Sequence, residues 1–274
     1  MTDLRIALET HDGRIVVTDS LTYCDARVSG RDVIVAGSFA GAAAFALAYE
    51  RGVRALIAHA AGVGKDAAGI SGLPDAERRG LPAAAVETMS ARIGDGDSVW
   101  ADGVVAYANA PARDLGVTIG MPAATAARRL LAAPVGTAVP GAMDRSQRVA
   151  LETPAGRVML MTSTSFVTRD NAGDVICAGS HGGRVNALPV VSCPPRAVVV
   201  FDGGMARDGS GIGGLALLDG PGIAAMAVAS ASARIGDPES AWATGVLSAV
   251  NRTAERAGVV VGMTVREAAV QLLR

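Results

Sequence analysis

Lysine is almost missing from this sequence: Lys65 is the single lysine among 25 cationic residues, and the formal net charge is −1. Without a basic excess, the chain has no electrostatic field that would attract nucleic acid or an anionic membrane. Aromatic residues make up only 3% of the chain, although half of it is hydrophobic. The core must therefore consist mainly of aliphatic side chains that pack closely with the help of 34 glycines.

Cysteines, targeting segments and membrane spans are equally scarce. The three cysteines, Cys24, Cys177 and Cys193, have no metal-ligand spacing, which suits a reducing compartment. Charged residues interrupt the N-terminal segment, so we expect no signal peptide. The uncharged run at 33–49 is short for a span and contains glycines, which favours a strand, a turn and a helix. We therefore expect a soluble, cytoplasmic protein without a disulfide, a metal or a cofactor.

The sequence contains an internal duplication. Residues 174–183 repeat residues 32–41 at a distance of 142 positions, and the two halves stay in step without a gap to the C-terminus. In each half, apolar strands alternate with helices, and a β-hairpin comes first at 4–18 and again at 150–161. This pattern predicts an α/β fold of two tandem homologous repeats, each a mostly parallel sheet with helices on both faces, related by a pseudo-two-fold axis.

Domain boundaries and helix ends follow from the same pattern. The segment 133–148 is rich in proline and glycine and has no periodicity, so we predict repeats at 1–132 and 149–274 joined by this linker. Asp237 and Pro238 are typical of a helix start, and Thr264 with Glu267 forms a capping-box pattern. We expect one long helix in the first half, beginning after the loop 88–97 and ending before Gly116.

A glycine-rich stretch with a serine and a histidine is the first candidate site. Gly179-Ser180-His181-Gly182-Gly183 follows an apolar strand, and we predict a turn there whose backbone N–H groups bind an anion. Ser38 and Gly41 are the corresponding residues of the first half. The alternative is a packing turn with Ser180 as the helix cap. A hydrolase triad is disfavoured because no histidine follows His181.

A second glycine-rich loop carries Lys65 in the first half and Arg207 in the second. It lacks the Walker A spacing, and no dinucleotide-binding fingerprint follows a strand. We predict that these cations either bind an anion or are solvated surface groups. Arg92 and Arg234, each three residues before an aspartate, either bind a substrate carboxylate or hold their loop to that aspartate.

Polar residues that differ between matching loops are candidates for specialisation of one copy. The candidate catalytic residues are His59, Lys65, Ser180, His181 and Asp202, and the candidate substrate-binding residues are Ser38, Gly41, Arg92, Gly182, Gly183, Arg207 and Arg234. His181, Asp202 and Asp208 could in principle hold a metal, but their spacing is not diagnostic.

The predicted function is catalysis by general acid–base groups on a small anionic metabolite bearing a carboxylate or a phosphate. The reaction is a hydrolysis or a lyase/isomerase step at a composite site between the repeats. The alternative is a non-catalytic metabolite-binding or regulatory protein with two degenerate anion sites. We expect no nucleic acid and no membrane as partners, and self-association is left open.

Overall fold

The computed structural model describes residues 3–140 and 142–274, which form two compact units. The described residues of unit 1 are 3–62, 69–140, 142–144 and 206–208, and those of unit 2 are 63–68, 145–205 and 209–274. Each unit therefore includes a short segment from the other half of the sequence. In the described part of the chain, no helix has both the length and the apolar character that crossing a membrane requires.

Unit 1 is built on one six-stranded sheet with the order β1-β2-β3-β4-β5-β6. Its four central strands are parallel, and β1 and β6 are antiparallel edge strands. The strands are β1 (Arg5–Glu9), β2 (Arg14–Thr18), β3 (Asp32–Phe39), β4 (Ala55–His59), β5 (Ala83–Val86) and β6 (Val105–Ala108). The helices are α1 (Ala42–Arg51), α2 (Gly72–Arg78), α3 (Gly96–Asp102), α4 (Ala110–Asp114) and α5 (Ala123–Leu130).

Unit 2 has the same strand order, β7-β8-β9-β10-β11-β12. The strands are β7 (Gln147–Thr153), β8 (Gly156–Met161), β9 (Val175–His181), β10 (Ala197–Phe201), β11 (Ala224–Val228) and β12 (Leu247–Val250). The helices are α6 (Arg184–Ser192), α7 (Pro238–Thr244), α8 (Arg252–Arg256) and α9 (Val265–Leu272). The predicted α/β fold of two similar repeats, each with a leading hairpin, is confirmed.

Both faces of each sheet are covered, because successive residues of the central strands are all buried. In unit 1, Val33 and Ile57 pack with α3 and α5, while the intervening residues Ile34 and Leu56 are equally buried. The core is aliphatic, as the composition predicts.

The prediction of one long helix before Gly116 is wrong. Gly103 ends α3, and the β-branched pair Val104-Val105 leads into β6 instead. Asn109 then caps α4 by accepting from the Ala112 N–H, and its side chain also accepts from the Ala83 N–H at the start of β5. An edge strand and a short helix therefore replace the expected helix.

The predicted helix starts of the second half are confirmed. The Asp237 side chain accepts a hydrogen bond from the Ser240 N–H at the start of α7, with Pro238 next to it. Thr264 and Glu267 form a reciprocal capping box at α9. Such caps depend on neighbouring residues only, which is why the sequence reveals them.

Candidate functional site

The loops that follow β4 and β10 are backbone-strained. Residues 61–64 and 203–206 all have positive φ, and Val63 at 60° and Met205 at 62° occupy matching positions. A left-handed conformation costs roughly 1–2 kcal/mol per non-glycine residue. Strain of this kind persists only where the surrounding contacts hold it, and it is frequent at functional sites. The contacts of these loops therefore indicate what they do.

Lys65 is held by hydrogen bonds within unit 2. Its Nζ donates to the Ser232 carbonyl at 3.2 Å and to Thr244 Oγ1 at 3.1 Å, and its backbone N–H donates to the Ser230 carbonyl. The next residue, Asp66, accepts from Arg234 Nη1 at 3.3 Å. These contacts favour a loop-fastening role for Lys65.

The matching cations of unit 1 are bound in the same way. Arg207 Nη1 donates to the Ser90 carbonyl at 3.1 Å and lies 3.2 Å from an Asp102 carboxylate oxygen. Arg92 bonds to Asp95 at 2.9 Å and to Asp208 at 3.4 Å. Arg234 repeats the first of these contacts with Asp237. Of the two predicted roles for Arg92 and Arg234, this geometry supports the holding of the loop.

His59, at the end of β4, is fully buried and uses both ring nitrogens. Nδ1 accepts from the Ala61 N–H at 3.0 Å, so Nε2 carries the proton and faces the carbonyl oxygens of Ala91 at 3.0 Å and Thr88 at 3.1 Å. Burial lowers the pKa of His59, which keeps the ring neutral. The histidine therefore ties the loop after β5 to the end of β4.

Asp202, directly after β10, is also buried, and four donors surround its carboxylate. Oδ1 accepts from the Gly204 N–H, the Ser230 N–H and, at 2.6 Å, the Ser230 hydroxyl, while Oδ2 accepts from the Ser248 hydroxyl at 2.9 Å. Ser230 opens the loop after β11, and Ser248 lies in β12. Asp202 thus holds three segments of unit 2 together.

The turn predicted at Gly179–Gly183 begins later than expected: β9 continues to His181, and only Gly182 and Gly183 connect it to α6. Ser38, the residue that matches Ser180, likewise lies within β3, which continues to Phe39. The buried hydroxyls of the two serines accept from backbone N–H groups, Ser38 from Leu21 at 2.9 Å and Ser180 from Thr164 at 3.1 Å. Ser180 therefore does not cap α6; Gly183 does, as Gly41 does for α1. The serines hold the short 3₁₀ turns that precede these strands.

The glycines after β9 do not form an open anion cradle. The Gly182 N–H donates to the Phe201 carbonyl at 2.7 Å, and the Gly183 N–H donates to His181 Nδ1 at 3.1 Å. A Cβ on Gly183 would lie 2.7 Å from His181 Nδ1, so glycine is needed for close packing. The adjoining cavity has a volume of about 10 Å³, about enough for one water molecule.

The predicted catalytic residues are divided between the units. His59 belongs to unit 1, whereas Lys65, Ser180, His181 and Asp202 belong to unit 2, and their grouping into one site stays a prediction. Among residues 3–140 and 142–274, no cluster of three or more His, Cys, Asp or Glu residues is arranged to hold a metal ion. The three cysteines are free thiols, and burial raises the pKa of Cys24 and Cys177 to about 12.

A larger cavity lies at the opposite edge of the unit 1 sheet, where the parallel strands begin. It has a volume of about 350 Å³, within the usual range for small-molecule sites. We call it the amino-edge cavity; its lining residues are Tyr49, Gly52, Val53, Arg54, Arg79, Gly80, Leu81, Pro82, Pro134, Val135, Gly136, Thr137 and Val139. Much of one wall is therefore the segment 134–139 of the predicted linker, which packs on unit 1 through the Val139 N–H to Tyr49 carbonyl bond.

Arg54 gives the amino-edge cavity its charge. The residue is 5% exposed, and its Nη1 is fixed by the carbonyl oxygens of Leu131 at 2.7 Å and Asp12 at 2.8 Å. Its buried Nε has no hydrogen-bond partner in the described part of the chain, nor does any described carboxylate form an ion pair with the guanidinium. A buried, uncompensated positive charge costs several kcal/mol. Arg54 is thus a buried cation with no compensating carboxylate among the described residues.

Tyr49 and Arg79 form a second polar group in this cavity. The Arg79 guanidinium lies 4.5 Å from the Tyr49 ring centre and bonds to Asp75 at 3.2 Å. The Tyr49 hydroxyl is buried and has no hydrogen bond to a described residue. Burial raises the pKa of Tyr49, and the nearby Asp75 carboxylate raises it further. The charge of Arg79 is therefore shared with Asp75, unlike that of Arg54.

No motif in the sequence predicts the amino-edge cavity. Arg54 is matched by Arg196 in the second half, so it did not stand out as a specialised residue. Two signals were nevertheless present: Tyr49 and Arg79 are replaced by Val191 and Pro221 at the matching positions. The burial of Arg54 depends on a wall some 80 residues further along the chain, which no local pattern reveals.

Comparison of the chain with known protein families, with curated proteins and with solved structures gives no match.

Proposed function

We propose that this protein binds a small anionic metabolite in the amino-edge cavity of unit 1 and acts as a non-catalytic binding or regulatory protein. The observation that carries the proposal is Arg54, a guanidinium buried beside a 350 Å³ cavity with no carboxylate partner and an unpaired Nε. Burial of an ion without a counter-ion is so costly that a bound anion is its natural complement. An arginine fork also suits carboxylate and phosphate oxygens.

The choice of binding over catalysis rests on the acid–base candidates. Both nitrogens of His59, the Lys65 ammonium group and the four contacts of Asp202 serve the packing of loops. Asp, Glu and His are missing from the residues that line the amino-edge cavity in the described chain. Proton transfer needs a titratable group within hydrogen-bond reach of the ligand. The titratable hydroxyl in the described lining is that of Tyr49, and burial raises its pKa, which makes it a poor general base near neutral pH.

The test is ligand binding by the wild-type protein and two matched variants. Arg54→Met removes the buried charge, and Arg196→Met removes the exposed arginine at the corresponding place in unit 2. Calorimetry with a panel of small carboxylates and inorganic phosphate should give at least a tenfold weaker binding for Arg54→Met, about 1.4 kcal/mol, and no change for Arg196→Met. A bound anion at one hundred times its dissociation constant should stabilise the wild type by about 2.7 kcal/mol.

Two results would contradict the proposal: no anion of the panel binds, or binding is equal in the wild type and in Arg54→Met. Arg54→Lys serves as a second variant in case the methionine variant does not fold. It keeps the charge but lacks the planar fork, so it should also weaken binding.

The catalytic alternative, a hydrolase or a lyase/isomerase acting on an anionic metabolite at a site shared by the repeats, stays a prediction. Its test is a turnover screen with His181→Ala and Lys65→Ala. Loss of turnover in both folded variants would favour catalysis, and absence of turnover in the wild type across the panel would count against it.

A further inference from the structure

We infer that the amino-edge cavity selects monoanions with an apolar body, that is, small aliphatic or aromatic monocarboxylates rather than phosphate esters. This inference rests on the proposed function. It specifies the ligand through the charge of the cavity and the chemistry of its walls.

The charges around the amino-edge cavity favour a monoanion. Two cations line the cavity, but they differ in compensation: Arg79 bonds to Asp75, and Arg54 bonds only to carbonyl oxygens. Asp75 also bonds to Arg78, and Arg79 is exposed, so Arg54 is the buried cation of the described lining that no carboxylate compensates. A monocarboxylate neutralises Arg54, whereas a phosphate monoester carries close to two negative charges at neutral pH and would place its second charge beside the apolar side chains of the wall.

The walls of the amino-edge cavity favour a ligand with an apolar body. Four polar side chains line the cavity: Arg54, Arg79, Tyr49 and Thr137. The other lining side chains are aliphatic or proline: Val53, Leu81, Pro82, Pro134, Val135 and Val139. Burial of apolar ligand surface against them is worth about 25 cal/mol per Å². A ligand with only a charged head, such as acetate or inorganic phosphate, gains none of this.

The geometry of Arg54 also gives the site a direction. The Nη1 contacts to Leu131 and Asp12 fix the plane of the Arg54 guanidinium. Nε is enclosed by protein atoms, so a carboxylate oxygen has to accept from Nη2, which forms no hydrogen bond with a described residue. Because the donor is already ordered, little conformational entropy is lost on binding.

The experiment uses probes that share one apolar body and differ in charge. Benzoate, benzamide and phenyl phosphate carry charges of about −1, 0 and −2 on a phenyl ring, and acetate is a carboxylate without the ring. Calorimetric titration of the wild-type protein should give benzoate at least a tenfold tighter binding than each of the other three. The preference for benzoate should vanish in Arg54→Met and persist in Arg196→Met.

A second variant tests the charge balance itself. Asp75→Asn removes the carboxylate that bonds to both Arg78 and Arg79, and so leaves Arg79 available to the ligand as a second cation. The ratio of phenyl phosphate to benzoate affinity should rise at least threefold. Asp12 contacts Arg54 through its backbone carbonyl only and has an exposed side chain, so Asp12→Asn should leave the ratio unchanged. An unchanged ratio in Asp75→Asn contradicts the charge argument.

The outcomes separate this inference from the proposed function. If phenyl phosphate binds more tightly than benzoate, and Arg54→Met abolishes that binding, the ligand class is wrong and the anion site stands. If none of the four probes binds in an Arg54-dependent manner, and the carboxylate and phosphate panel also fails, the site itself is wrong.

Discussion

The two units use different side chains to fix corresponding loops, the loop after β5 in unit 1 and the loop after β11 in unit 2. In unit 1, His59 donates from Nε2 to the loop after β5, and position 60 is alanine. In unit 2, the histidine position is Phe201, and the following residue, Asp202, accepts from Ser230 in the loop after β11. A difference between the copies that looks like functional specialisation is thus two solutions to one structural problem. A residue that differs between the two repeats indicates a functional site only when it has no structural role.

A second pair of differences has the same character. Phe39 pairs with His59 across β3 and β4, and His181 pairs with Phe201 across β9 and β10. Each unit therefore keeps one histidine and one phenylalanine at these paired positions, with the two strands exchanged. The exchange accounts for the Phe39/His181 and His59/Phe201 differences together, and a catalytic role for either histidine stays a prediction.

Arg54 and Arg196 show the opposite relation, since an identical residue has different surroundings. Arg196 is exposed and donates to the Leu272 carbonyl, whereas Arg54 is 5% exposed beneath the segment 134–139. The shared arginine is therefore the residue at which the proposed function distinguishes the two units. Sequence identity between repeats does not guarantee equal chemistry.

Removal of Asp202 should have the largest effect on stability. Asp202→Ala leaves two backbone donors and two hydroxyl groups without their acceptor, and we expect the free energy of unfolding to fall by about 3 kcal/mol. Asp202→Asn should lose less than about 1 kcal/mol, because the amide oxygen can keep the Oδ1 contacts and the amide nitrogen can donate to Ser248. Urea unfolding monitored by circular dichroism measures both; equal losses would contradict the hydrogen-bond account.

Removal of His59 should have a smaller effect that depends on pH. His59→Phe copies the residue of unit 2 without Asp202, and it should cost about 2 kcal/mol at pH 7.5 because the Ala61 N–H and the carbonyls of Thr88 and Ala91 lose their partner.

The sign of the pH dependence follows from burial. The pKa of His59 is lower in the folded protein than its ordinary value of 6.5, so below pH 6.5 the unfolded chain takes up a proton that the folded protein does not. His59 therefore makes the wild type lose stability as the pH falls from 6.5 towards the folded pKa, by up to about 1.4 kcal/mol per pH unit. The difference between the wild type and His59→Phe should shrink in this range, and the exposed His11→Gln should serve as a control. A constant difference would contradict a buried neutral histidine.

Relief of backbone strain should have the smallest effect. Val63→Gly removes a β-branched side chain at a φ of 60°, and we expect a gain of about 1 kcal/mol after the entropy cost of glycine. Met205→Gly, at the matching position, should gain less because methionine is not branched at Cβ. Ala43→Gly in α1 should instead lose about 1 kcal/mol. A loss in Val63→Gly would mean that packing of the valine outweighs its strain, which thermal and urea unfolding would reveal.

The sequence by itself determined the duplication, the α/β class, the leading hairpins and the helix caps at Asp237 and Thr264. These features depend on short-range patterns: alternation of apolar residues, glycine and proline at turns, and side chains that bond to backbone two or three positions away. It also determined the aliphatic core, because composition left no other material for it.

Only the tertiary structure decided what the polar residues do. His59 meets the carbonyls of residues 88 and 91, Asp202 meets Ser248, and Arg54 is covered by residues 134–139, all contacts between distant parts of the chain. A histidine or an arginine in a sequence is equally consistent with a buried tie and with a binding group. The packing of remote segments determines whether the polar atoms of such a residue form hydrogen bonds within the protein or remain without a partner. The carboxylate of Asp202 is of the first kind, and the Nε of Arg54 is of the second.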